Sequence, residues 1–240
     1  MTQSLQYNPA ALIPEQPTAQ HRKCSIWIGG QRCSNLYPAG TKNRSGQKTI
    51  GFLMSLEAKS LELEGVTLFR PKKFVDARGF FIETFNARSY AEAGIGSVFV
   101  QDNQSLSRKA GTIRGLHFQC PPAAQAKLVR VLRGSIFDVV VDLRHASASY
   151  GRWCAMTLTG EGGEQLFVPR GYAHGFCTLE PDTEVAYKVD SFYAPSCDAG
   201  LRWNDPDLAI RWPVRPADTV ISEKDAGLPF FKTFVSPFGV

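Results

Sequence analysis

The chain has 240 residues, 43% of them hydrophobic and 20% charged, which suits one well-buried domain with an appendage and excludes a disordered or fibrous chain. No window reaches the roughly 18 consecutive apolar residues of a membrane helix, and the N-terminus lacks the charged start, apolar stretch and cleavage site of a secretory signal, so no membrane partner is expected and the cytoplasm is the expected compartment. The net charge of +5 is confined to residues 1–53, where six basic residues face Glu15 alone; the balanced remainder excludes the basic footprint of a nucleic-acid-binding core.

In chain order, residues 1–53 are rich in Gln, Ser, Asn, Pro and Gly and read as a disordered extension, with "CSIWIGG" as the single short apolar run. Met54 opens what reads as the ordered domain, residues 54–240, so the upstream stretch fits an extension or a mis-set start; its basic, acid-poor composition also fits a transit peptide. Beyond residue 58, short β-branched and aromatic runs alternate with turn signals. One helical patch, "ARSYAEAG", stops at Gly94. "TIRGLHFQ" is expected to turn at Pro121-Pro122 and return through "KLVRV" as a hairpin, bringing Lys127 beside His117. "KLVRVLRGSIFDVVVDLR" reads as two strands joined at Arg133-Gly134-Ser135, and "EQLFVPRGYAHGF" and "TEVAYKVDSFY" as further strands. Short strands without long helices predict an all-β sandwich or barrel. The six cysteines (24, 33, 120, 154, 177, 197) form no C-x-x-C pair and read as free thiols serving as small buried hydrophobes.

Three roles compete for His117: metal ligand, hydrogen-bonded core residue, or base. The run Pro169-x-Gly171-x-x-His174 resembles the second motif of the cupins, double-sheet jelly rolls whose metal-binding members carry His-x-His in their first motif. Here Gln119 occupies the second of those positions. His117 and His174 alone fall short of the three or four donors of a transition-metal site, so no metal is expected. An isolated histidine is as often a core residue as a functional one, and an isolated Lys127 would be a solvated cation. Together they suit removal of a proton beside a ketone, the ammonium stabilising the enolate oxygen.

The ordered set "DARGFFIETF", "VQDNQS", "RGLHFQ", "AQAKLVRV", "GSIFDVVVDLR", "VPRGYAHGF", "AYKVDSFYAP", "LRWNDP" and "SEKDAG" resembles the dTDP-4-dehydrorhamnose 3,5-epimerase family over about residues 58–225. The resemblance implies a double-stranded β-helix (cupin jelly roll) with a few short helices, no cofactor, a dTDP-sugar substrate and a homodimer with strands contributed across its interface. It implies that His117 is the base, oriented by Asp225, that Tyr187 is the acid on the opposite face, and that Lys127 stabilises the enolate. For substrate binding it implies Arg78, Glu83, Gln101, Asn103, Arg114, His174, Asp198 and Lys224, with Tyr193 stacking on the nucleotide base. Taken singly, Tyr187 reads as a core aromatic, Asp225 as a turn or cap residue, and Arg78 as half of a surface ion pair. Ala126 stands where the family commonly has glycine and Asp198 where it often has glutamate.

The implied reaction converts dTDP-4-dehydro-6-deoxy-D-glucose to dTDP-4-dehydro-L-rhamnose by inversion at carbons 3 and 5. Rival readings are a single-centre epimerase or ketoisomerase, against which Tyr187 argues, and a non-catalytic cupin that binds a sugar nucleotide.

Overall fold

The computed structural model describes residues 56–239, together with two two-residue strands, β1 (Trp27–Ile28) and β2 (Gln31–Arg32), which pair antiparallel. Apart from these, the expectation of a disordered extension falls outside the described residues, as do Cys24 and Cys33. From residue 56 the elements are β3 (Leu56–Ser60), β4 (Thr67–Pro71), β5 (Lys73–Asp76), β6 (Gly79–Ile82), helix α1 (Ala87–Glu92), β7 (Gln101–Ser107), β8 (Ile113–Gln119), β9 (Lys127–Arg133), β10 (Ser135–Asp142), β11 (Trp153–Thr159), β12 (Gln165–Val168), β13 (Tyr172–Thr178), β14 (Thr183–Val189), β15 (Asp198–Gly200) and helix α2 (Glu223–Ala226). The helical patch falls where expected. Asn86 caps α1 by accepting the Arg88 and Ser89 N–H groups, and Gly94, at φ +94°, follows its end.

Two antiparallel sheets face each other. One has the order β11-β10-β13-β8-β15 and the other β3-β4-β12-β9-β14-β7, while β5 and β6 form a separate hairpin. Alternation along the strands sends one set of side chains between the sheets. Val129, Val131, Leu166 and Val185 from one sheet pack there against Ile136, Val140, Leu158 and Phe176 from the other. The outer face of the five-stranded sheet is covered too: Leu116, Val139, Val141 and Ala173 pack under Leu201 and Leu208, with Phe231, Phe234 and Phe238 from the C-terminal segment. Coverage on both faces explains why β10 and β13 are apolar runs rather than alternating patterns.

The expected hairpin of "TIRGLHFQ" with "KLVRV" does not form. β8 belongs to the five-stranded sheet and β9 to the six-stranded one, so residues 120–126 carry the chain across the sandwich. The turn at Gly134 is where the sequence places it, yet it also changes sheets, from β9 to β10. It does so in one residue at φ +76°, where a Cβ would collide with Thr183. From β7 to β15 the chain alternates between the two sheets at every step except the β10–β11 hairpin, the winding of a jelly roll.

The β5–β6 hairpin lies beyond the far end of β9. Lys73 Nζ donates to the Glu161 carbonyl, and Lys73, Phe80 and Ile82 share a cleft with Leu132 and Gly160. Val75, Phe80 and Phe81 are 76%, 61% and 63% exposed on it.

Candidate active site

Between the sheets, where β8 and β9 approach, lies a cavity of about 330 Å³ lined by Gln101, Asn103, His117, Gln119, Gln125, Lys127, Tyr187, Tyr193, Asp198 and Lys224. Its size and mixed lining suit a small organic ligand.

His117 projects into it from β8. Its Nε2 lies 2.8 Å from Asp225 Oδ1, and the Gly115 N–H donates to the other carboxylate oxygen at 3.0 Å. Gly115, at φ +124°, is required here because a Cβ would lie 2.6 Å from Gly175 Cα and 2.9 Å from the His174 carbonyl oxygen. Asp225 belongs to α2, whose cap Ser222 accepts the Asp225 N–H. Burial works to raise the Asp225 carboxyl, but the hydrogen bonds from His117 and Gly115 outweigh it and hold the group below the usual carboxylate range. An ionised Asp225 fixes the proton of His117 on Nε2 and leaves Nδ1 as the basic nitrogen. His117 remains 32% exposed at its side chain while Asp225 is 6% exposed, so the base opens to the cavity and its orienting carboxylate does not.

Lys127 reaches the same place from the opposite sheet, its Nζ donating to the His117 carbonyl at 3.3 Å. Burial lowers its ammonium to about 8, against the pull of Asp138 and Asp198. Tyr187 stands on β14 in the six-stranded sheet and faces His117 across the sandwich. Burial pushes its phenol up, with Arg114 opposing, so the hydroxyl keeps its proton at neutral pH.

At the mouth, Tyr193 donates to Asp198 at 3.0 Å and Lys224 bonds the same carboxylate. Burial tends to raise Asp198, but these two bonds lower it overall. Gln101 accepts the Tyr193 N–H and donates to Asn103.

Nine of the thirteen residues singled out in the sequence therefore line or flank this one cavity. Four stand apart. His174 is buried, its Nε2 held by both oxygens of Asp138 at 2.9 and 3.0 Å, directly opposite His117 on the neighbouring strand. Arg114 bonds Ser107 Oγ and the Leu106 carbonyl. Arg78 pairs with Asp76 on the exposed β5–β6 turn, and Glu83 lies near α1 in a cleft with Lys72 and Asn86. That turn is associated with the Leu132 end of β9, five residues from Lys127, or roughly 16 Å at about 3.3 Å per residue.

Gln119, Gln125 and Asp138 were not read as functional from the sequence. Gln119 spends its amide on the surrounding backbone, donating to the Ala123 and Phe192 carbonyls and accepting the Ala194 N–H. Gln125 similarly donates to the Ser191 carbonyl. A signal existed for two of them: Gln119 shares the face of His117 by alternation, and an acid inside "IFDVVV" is a buried charge needing a partner.

Two facing antiparallel sheets with a polar cavity between them define a cupin-type jelly roll. The model of the dTDP-4-dehydrorhamnose 3,5-epimerase family matches residues 60–233, and the chain belongs to that family. It is 48% identical over 171 residues to the dTDP-4-dehydrorhamnose 3,5-epimerase of Sinorhizobium fredii, covering 71% of this chain and 87% of that protein. The fold is similar to the crystal structure of the Bacillus anthracis dTDP-4-dehydrorhamnose 3,5-epimerase with TDP and PPi bound, at TM-score 0.72 and 46% identity, covering 74% of this chain and 100% of that one. It is equally similar to a Legionella pneumophila dTDP-6-deoxy-D-glucose-3,5-epimerase in complex with dTDP-4-keto-L-rhamnose, at TM-score 0.73 and 38% identity over 77% and 97% of the two chains.

Proposed function

We propose that the chain converts dTDP-4-dehydro-6-deoxy-D-glucose to dTDP-4-dehydro-L-rhamnose by inverting carbons 3 and 5. The observation that carries this reading is the placement of the His117–Asp225 pair on one wall of the cavity and Tyr187 on the other, with the Lys127 ammonium beside the histidine. His117 Nδ1 takes the proton next to the 4-ketone, charge collects on the ketone oxygen beside Lys127, and Tyr187 returns a proton to the other face. One ketone acidifies both neighbouring carbons, so the same residues serve both inversions after the ring shifts, and the substrate's own carbonyl acts as electron sink without a cofactor. Gln101, Asn103, Asp198 and Lys224 hold the substrate, Tyr193 stacks on its base, and Arg114 and His174 support the site beside Tyr187 and His117.

Incubation with the substrate and a ketoreductase specific for the doubly inverted product tests the reading. Accumulation of the reduced L-sugar nucleotide is expected, whereas a single-centre enzyme or a non-catalytic binder yields none.

The Lys127 pKa gives a direction with pH. Its cationic form is present below about 8 and is lost above it, so kcat/KM is expected to fall as pH rises through this value. A flat profile to pH 9.5 would remove Lys127 from the charge-stabilising role.

The active form is a homodimer in which the β5–β6 hairpin, with its exposed phenylalanines, brings Arg78 and Glu83 to the partner's cavity. The distance of the Arg78 turn from its own Lys127 supports this placement. Mixing Arg78→Ala and His117→Ala homodimers and allowing exchange is then expected to restore about a quarter of wild-type turnover, because half the dimers gain one intact site. No recovery after verified exchange contradicts it. Residues 54–240 carry the activity and 1–53 are an appendage. Among the described residues no helix is long and apolar enough to cross a membrane; the balanced charge of 54–240 and its free thiols support a cytoplasmic enzyme without nucleic-acid or membrane partners.

A further inference from the structure

We propose that Cys120 and Cys197 form a reversible disulfide across the β8–β15 edge of the sandwich. The pairing of these strands sets Gln119 opposite Asp198, Phe118 opposite Ala199 and His117 opposite Gly200. One step further along the same register, Cys120 faces Cys197, and the Cys120 N–H donates to the Cys197 carbonyl at 2.8 Å. Directly opposed residues of an antiparallel ladder project to the same face, with Cα atoms about 5.5 Å apart in a hydrogen-bonded pair, inside the range a disulfide spans. Their Cβ atoms must close by roughly 1–2 Å to reach the spacing of about 3.8 Å in a disulfide. β15 is a three-residue edge strand and Cys197 ends a short 3₁₀ turn, Pro195–Cys197, so neither is held by a further strand.

Both thiols are free and half-buried, unlike Cys154 and Cys177, which lie in the core. Alternation turns Cys120 and Phe118 toward the outer apolar layer while His117 and Gln119 face the cavity. The bridge therefore forms behind the site, without consuming a group that lines it. Hydrogen peroxide is the oxidant: one thiolate attacks an oxygen and breaks the O–O bond, giving a sulfenic acid and hydroxide that takes a solvent proton to leave as water; the second thiol then displaces water from that sulfur to give the disulfide. Burial, with Cys197 adding to it, raises the Cys120 thiol, so the reaction quickens above neutral pH.

The bond adds a covalent link where the Gln119 amide already clasps residues 192–194, and it steadies the segment that carries Tyr193. The effect on that segment rests on the proposed site, but bond formation does not, and the two are read separately.

Full-length protein treated with hydrogen peroxide, alkylated and digested is expected to yield a peptide pair joining Cys120 to Cys197, abolished by dithiothreitol and by Cys197→Ser. Amide exchange across residues 190–197 is expected to slow several-fold in the oxidised protein. Cys120 and Cys197 recovered as free thiols, as sulfinic acids or joined to other cysteines would overturn the bond. A linked peptide with unchanged exchange would overturn the clamping effect alone, leaving the catalytic reading untouched.

Discussion

His117→Ala is expected to lower kcat about 10³-fold while dTDP still binds, because the cavity keeps its shape and loses only the base. General base catalysis contributes roughly 10²–10⁴-fold, and a 10³-fold loss corresponds to about 4 kcal/mol of barrier. The His117 ring is partly open to the cavity, so its removal leaves a solvated space rather than a core void. Its partner then becomes the difficulty: Asp225 is buried and retains the Gly115 N–H but loses the imidazole. Asp225 removal should accordingly mimic the loss of His117 in kcat. Isothermal titration with dTDP beside single-turnover kinetics separates the effects. A His117→Ala protein with turnover within tenfold of wild type would place the base elsewhere.

Tyr187→Phe has the second large effect, and it differs in kind. The phenol is expected to donate from the face opposite His117, so its loss should cut net inversion about 10²–10³-fold while leaving His117 able to remove and return a proton on its own side. Solvent deuterium should then enter the recovered starting sugar without a change of configuration. Proton NMR of the recovered substrate and product reads both rates. Equal loss of exchange and inversion would make Tyr187 a packing residue, in keeping with its contact to the core beside Val185 and Val129.

The contributing side chains were legible because each lies in a short motif, whereas their convergence was not. Alternation along "RGLHFQ" tells which residues share a face with His117, but it does not tell which sheet the strand joins. The hairpin expected from His117 to Lys127 is therefore absent while the proximity holds: the two strands lie in opposite sheets, and the lysine still reaches the His117 carbonyl. β10 and β13 gave no alternation to read, since the C-terminal segment covers their outer face through contacts distant in sequence. α2 was hidden in a different way. Ser222 three residues before Asp225 is a capping pattern, and the Asp225 carboxylate also reaches His117, a contact separated by 108 residues. Arg78 and Glu83 show the reverse case, where a motif names residues that the fold of a single chain keeps from the cavity.

Inversion of two carbons through enolates by one His117–Tyr187 pair is read by proton NMR of the purified protein with dTDP-4-dehydro-6-deoxy-D-glucose in deuterated water. Deuterium is expected at both carbon 3 and carbon 5, with coupling constants of the L-rhamno product. Exchange confined to one carbon, or none while the sugar nucleotide is bound, would contradict it.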